Sequence, residues 1–265
     1  MAIVTLISDL GTKDYYVAAV KGVILSQAPT TTLVDITHAV PPFDIFQAAF
    51  NLKNAAENFP ADTIHLIGVD TSGSLHARNL AIVYREQIFL GTDNGIFSLI
   101  FQEEPSLIVE IQLGTEDSDL VFPARDILAK AAGFIAAGGN IEVLGPKVQG
   151  LVQRQTFNPV VTGNEIRGTV IYIDGYGNVF TNITKDEFEK VRNLRNYSIF
   201  FAAANHPIKK ICTHYNQVPE GERLAIFSSS GYLQIAINKG VFGAGGGASQ
   251  LFGLKLNHSV RIEFE

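Results

Sequence analysis

Ala2-Ile3-Val4-Thr5-Leu6-Ile7-Ser8-Asp9-Leu10-Gly11-Thr12-Lys13-Asp14 is the stretch that decides how this chain reads. The run Ala2–Ile7 is short, apolar and rich in β-branched residues, the pattern of a buried strand. Two carboxylates and a glycine follow it directly. That suits a site in an open α/β sheet, where ligands collect outside the carboxyl ends of the strands. Asp9 could grip two neighbouring hydroxyls, as on a ribose, through charge-assisted hydrogen bonds. Asp14 could hold an ammonium group. The same residues also read as a turn glycine and a helix N-cap, because Asp14 precedes Tyr15–Leu25, which is helical in period.

Working outward, strands and helices alternate up to about residue 156. Strand-like runs are Ile3–Ile7, Thr32–Asp35, Ile64–Val69, Leu80–Tyr84, Ile88–Gly91 and Leu107–Glu110; helical patterns are Tyr15–Gln27, Asp44–Asn58 and Ala124–Ala137. This is the pattern of a layered α/β domain. Gly138-Gly139 reads as the C-cap of the third helix. Residues 157–167 have linker character, with a proline and turn formers. Beyond them the texture changes to short strands at Gly168–Asp174, Val179–Ile183, Ser198–Phe201, Arg223–Ser228, Tyr232–Asn238 and Ser259–Phe264, with one short helix at Asp186–Val191. A smaller β-rich, barrel-like domain over residues 168–265 is expected. Val241–Ser249 is glycine-rich but lacks the Lys-Ser/Thr of a phosphate-binding loop, and reads as a flexible connection.

Composition narrows the function. The 265 residues are 46% hydrophobic and 17% charged, enough to bury a sizeable core. The net charge of −6 argues against a nucleic-acid footprint and does not exclude a cationic ligand. The single cysteine, Cys212, allows no intrachain disulfide. No apolar run reaches about eighteen residues, so no transmembrane helix is expected. The N-terminus enters a strand directly, with neither a basic segment nor a cleavage-site pattern. These features lead to the expectation of a cytoplasmic protein without nucleic-acid or membrane partners. No metal-ligand cluster stands out.

Further motifs follow in order: Val34-Asp35-Ile36-Thr37-His38, Gly91-Thr92-Asp93-Asn94-Gly95, Ile173-Asp174-Gly175-Tyr176-Gly177-Asn178-Val179-Phe180-Thr181-Asn182 and Ser228-Ser229-Ser230-Gly231-Tyr232. As an ordered set, nearly end to end, they resemble the family of S-adenosylmethionine (SAM) hydroxide adenosyltransferases, which also holds SAM-dependent fluorinases and chlorinases. The resemblance implies SAM as substrate or ligand, with no separate cofactor. It also implies a homotrimer with SAM between the N-domain of one subunit and the C-domain of the next. By position, Asp9 matches the ribose-binding residue. Asp14 and Asp174 match acidic residues near the substrate, Asp174 beside the methionine amine. Asn178 matches an asparagine that faces the adenine edge and Phe180 an aromatic in the same loop, and Ser229 and Ser230 match the pair that contacts the amino-acid carboxylate. The fluorinase has an arginine at the position of Ser230. Ordinary turn chemistry accounts for Asp-Gly and Gly-Asn equally well. The glycine-rich stretch looks like an insertion beside the adenine side. His38 is expected to pin its loop rather than react.

The family's reaction is displacement at the ribose C5′ by water or hydroxide, giving adenosine and methionine, with an Asp, an Arg and a His around one water. Asp70 matches that aspartate. The arginine position is Ala77, followed by Arg78. The histidine position is Pro123, within Phe122-Pro123-Ala124-Arg125-Asp126. The resemblance therefore implies a SAM hydrolase with an altered water site, Asp70 being the catalytic residue. His76 is a candidate replacement, although a lone histidine on a polar loop is more often solvated. The alternatives are a silent SAM- or adenosine-binding protein and a structural trimer with a vestigial pocket. A halogenase is the least favoured, because a carboxylate at position 70 repels a halide. There, halogenating relatives have a tyrosine, with a threonine at the position of Gly73. Ala124 offers no hydroxyl.

Overall fold

The branched aliphatic runs near the N-terminus suit a pleated surface buried on both faces. In the computed structural model, which describes residues 1–71, 77–112, 121–201, 207–241, 243 and 246–265, they become β1 (Ile3–Ser8), β2 (Thr32–Thr37), β3 (Ile64–Gly68), β4 (Asn79–Tyr84), β5 (Gln87–Thr92) and β6 (Leu107–Glu110). One sheet holds them in the order β2-β1-β3-β5-β4-β6. β2, β1, β3 and β5 are parallel, and β4 is antiparallel to both its neighbours. The helices are α1 (Tyr16–Gln27), α2 (Ile45–Ala56), α3 (Ile96–Ile100) and α4 (Lys130–Ala136), the last continuing a π-helical stretch at Ala124–Ala129.

Alternate strand residues point to opposite faces. Leu6 and Leu66 pack with Val20, Ile24, Leu128 and Ala132 on one side of the sheet. Ile7 and Ile67 pack with Ala48, Leu52 and Phe97 on the other. The result is the layered α/β arrangement read from the sequence. β1 leads to β2 on one side, and the chain then returns to add β3 on the other. The strand order therefore reverses between β1 and β3, and the crevice at their carboxyl ends is the expected ligand position for such a sheet. Ser8 and Gly68 pair directly there.

The chain divides into two compact units, Met1–Gln155 and Thr156–Glu265. The second contains β7 (Val160–Val161), β8 (Glu165–Ile173), β9 (Val179–Thr184), β10 (Tyr197–Phe201), β11 (Ile211–Cys212), β12 (Arg223–Phe227), β13 (Tyr232–Ile237) and β14 (Ser259–Phe264), with α5 (Lys185–Arg192) and α6 (Ala248–Leu251). The strand path is β10-β14-β8-β9-β13-β12-β11, with β7 paired to β8. β8 bends the sheet: up to Thr169 it pairs with β14, and from Val170 it pairs with β9 through a register shift. The barrel-like expectation is met by this curled half-barrel. α5 opens with a reciprocal cap between Thr184 and Glu187.

Three local readings are corrected. Asp14 is not an N-cap: Tyr15 occupies that position, and no side chain caps α1. Residues 165–167, inside the stretch of linker character, belong to β8, where pairing with β14 overrides weak local preference. α3, β7, β11 and α6 were not anticipated, being too short for a periodic pattern to register. Gly138 does close α4, in the left-handed conformation. Among the described residues no helix is long and apolar enough to cross a membrane.

Candidate active site

In the first unit, Asp9 follows β1 and Asp70 lies two residues beyond β3, so the crevice gathers both. Asp9 Oδ2 accepts hydrogen bonds from the backbone amides of Phe43 (2.9 Å) and Asp70 (3.3 Å). Asp9 Oδ1 has no hydrogen-bond partner among the described residues. The Asp9 loop is held by His38. Its Nδ1 shares a 2.7 Å hydrogen bond with Ser8 Oγ, and its carbonyl accepts from Gly11 N at 2.9 Å. His38 Nε2 lies 3.0 Å from Asp35 Oδ1, within ion-pair distance but outside hydrogen-bond geometry. Serine, histidine and aspartate in line suggest a nucleophile. Ser8 is only 3% exposed, however, so it has no access to a substrate. The histidine fixes the loop.

Asp70 has a left-handed backbone (φ 48°) and is half-buried. Asn94 Nδ2 donates to the carbonyls of Val69 and Asp70, both at 3.2 Å. Burial raises the Asp70 carboxyl above its ordinary pKa; the charge of Asp9 raises it further, and that of Arg154 opposes both. The Phe122–Asp126 turn reaches the same place: a side chain on Gly68 would touch Ser8 and Ala124 together. Pro123 is buried, with φ −57° and ψ −35°, at the entry to the π-helical stretch. Arg125 is bidentate to Asp126 at 2.6 and 2.8 Å, and lies over the Phe122 ring. Ala77 is half-buried and chemically inert. Arg78, beside it, is engaged elsewhere: its guanidinium donates to the buried Asp93 carboxylate at 2.5 Å and to Gly150 O at 3.0 Å. Asp14 is exposed. His76 and Gly73 lie outside the described residues.

In the second unit, Asp174 and Asn178 shape the β8–β9 turn. Asp174 Oδ1 accepts from the amides of Tyr176 (2.9 Å) and Asn178 (2.8 Å), and Oδ2 accepts from Asn178 Nδ2 (2.9 Å). The turn chemistry considered from sequence is thus present in full. It also leaves the carboxylate in one fixed orientation. Phe180 meets Tyr172 edge to face at 5.8 Å. Ser229 is exposed in the β12–β13 turn, and Ser230 Oγ shares a 2.8 Å hydrogen bond with Ser228 Oγ. The glycine-rich stretch lies on the Asp174 turn: Ser249 N donates to Gly177 O at 2.9 Å, and a Cβ on Gly247 would collide with the backbone of Tyr176 and Gly177. Phe242, Ala244 and Gly245 lie outside the described residues. Sequence reasoning missed two residues. Tyr215 donates to Gln234 Oε1, and its phenol is raised above its ordinary pKa by burial and by the charge of Asp174. Arg154 sits in an irregular segment that carries no motif.

Comparison with known proteins finds relatives over both halves of the chain. The SAM hydroxide adenosyltransferase N-terminal domain matches residues 4–145, and the C-terminal domain of the same name matches residues 168–261. A Thermus thermophilus protein named (R)-S-adenosyl-L-methionine hydrolase is 30% identical over 97% of this chain and 97% of its own. A Nocardia brasiliensis fluorinase is 25% identical over 89% of this chain and 90% of its own. The crystal structure of an uncharacterized conserved protein from Thermotoga maritima superposes with a TM-score of 0.86 at 27% identity, covering 98% of this chain and 99% of that one. The crystal structure of a conserved hypothetical protein from Thermus thermophilus gives 0.74 at 29% identity, covering 99% and 100%. With both halves matched in order and the strand-end carboxylates in place, the chain belongs to the SAM hydroxide adenosyltransferase family.

Proposed function

We propose that this protein hydrolyses SAM to adenosine and methionine, with Asp70 holding the attacking water. The observation that carries the reading is the pair of carboxylates at the reversal between β1 and β3: Asp9, whose Oδ1 has no hydrogen-bond partner among the described residues and suits ribose hydroxyls, and Asp70, two residues past the paired strand end. In the reaction, the water oxygen bonds to C5′ and the C5′–S bond breaks. The sulfonium takes its electron pair and leaves as neutral thioether, and the water proton passes to Asp70 or solvent. A sulfonium is already a good leaving group, so the protein's task is to position and desolvate the nucleophile, without metal or redox help. The ionised Asp70 carboxylate is the group suited to orient the water and take its proton. A carboxylate there also disfavours halide, which separates this reading from the fluorinase relatives.

Asp14, Asp174, Asn178, Phe180, Ser229 and Ser230 complete the proposed ligand contacts, and we assign the protein a homotrimeric assembly and a cytoplasmic location. Ala77 and Pro123 favour a second reading, a silent SAM-binding protein, since they provide neither charge nor a titratable proton. Incubation with SAM, followed by chromatography for adenosine and methionine beside a calorimetric titration, separates the two. Product formation supports hydrolysis, whereas binding without product supports the silent protein.

A further inference from the structure

Arg154 lies far along the chain from Asp70, yet the first unit carries it back to the crevice. Asp93 Oδ1 accepts from Val152 N at 2.9 Å, while its Oδ2 holds Arg78, which also grips Gly150 O. Two residues on, Ser98 Oγ accepts from Arg154 N at 2.9 Å. These bonds lay residues 150–154 along the loop between β5 and α3. The Arg154 side chain then crosses Gly95, whose φ is +103°. A Cβ at position 95 would collide with the Arg154 stem and come within 3.1 Å of its Nε. Gly95 adjoins Asn94, the residue whose amide holds the Asp70 carbonyl. The Arg154 guanidinium makes no hydrogen bond or ion pair among the described residues, whereas Arg78 is already paired.

We propose that Arg154 supplies, from this distant segment, the positive charge beside Asp70 that Ala77 does not. The inference rests on the hydrolase reading for its catalytic consequence, but its electrostatic core stands apart from turnover. Arg154 crosses Gly95, next to the Asn94 side chain that bonds the Asp70 carbonyl; there its charge pulls the Asp70 pKa down while that of Asp9 pushes it up. A guanidinium there favours an ionised Asp70 and a hydroxide-like water, offsetting the repulsion from Asp9.

The test uses the full chain and two readouts. Carbon-13 NMR titration of the Asp70 carboxyl compares the parent with R154M and R154K. The Asp70 pKa should rise in R154M and stay near the parent value in R154K. An unchanged pKa in a folded R154M overturns the proposal, whether or not the parent turns over SAM. Where the parent is active, R154M should lower kcat at pH 7 by about tenfold or more, the lower part of the range for such assistance. KM should change little, the acid limb of the kcat profile should move to higher pH, and R154K should recover part of the rate. An unchanged kcat profile in R154M overturns the proposal too. A parent that forms no adenosine contradicts the hydrolase reading alone, and the titration still decides on Arg154.

Discussion

Asp9 ties three segments together through one oxygen, and its substitution is informative for that reason. Asp9→Asn keeps an acceptor for one backbone amide but loses the charge. Affinity for adenosine should fall by about 1.5–3 kcal/mol, the range for a hydrogen bond to a charged group. Calorimetry on a variant with an unchanged circular dichroism spectrum checks this, and parent-like affinity removes the ribose role. His65 makes a different prediction. It is fully buried, bonded to Thr5 Oγ1 at 2.7 Å and packed against Phe89. Burial, only partly offset by Gln87, lowers its pKa to about 4 from the ordinary 6.5. Between those values the unfolded chain binds a proton that the folded chain refuses. Stability contributed by the neutral ring is therefore present above pH 6.5 and lost as the pH falls toward 4, by up to about 3 kcal/mol. Urea titrations at pH 7 and pH 4.5 should show that loss, and His65→Gln should flatten this part of the pH dependence. An equal dependence in the variant assigns it to other groups.

At the scale of elements, the strand runs were legible because β-branched residues cluster in them; β6 and β14 fall where the pattern placed them. What escaped was set by contacts distant in sequence. α3 spans five residues and β11 two, less than a period can show. The Asp14 cap looked right locally, but the helix begins later, at Tyr16. The placement of Asp9 and Asp70 at strand ends was legible because each follows an apolar run. Arg154 was not, because its segment is placed by hydrogen bonds that Val152 N donates to Asp93, 59 residues back, and Arg154 N donates to Ser98, 56 residues back. The Phe122–Asp126 turn allows a constructive test. Pro123 has ordinary right-handed helical angles, which histidine adopts without strain, and its missing N–H is no loss at a helix entry. Ala77→Arg with Pro123→His should raise hydrolysis by up to roughly 10²–10⁴-fold, the span of acid–base assistance. Rates on a variant with parent-like ligand affinity check it, and an unchanged rate means that the water is not held there.

The whole molecule joins a doubly covered sheet with a curled, largely antiparallel one, and each unit carries its own polar cluster at strand ends. Asp9 and Asp70 belong to the first, Asp174 and Asn178 to the second. The assembly proposed above is a homotrimer. Light scattering should give about three times the 28.8 kDa chain mass; a stable monomer that still binds SAM contradicts it.

The central claim is that Asp70 positions the water that attacks SAM. Its most direct test is chromatographic measurement of adenosine and methionine formed by the parent and by Asp70→Ala, with calorimetry confirming that both bind the ligand. The account predicts equimolar adenosine and methionine from the parent, and none above background from Asp70→Ala, at nearly equal affinity. Asp70→Ala turning over SAM as fast as the parent would show that the nucleophile is held elsewhere and contradict the account.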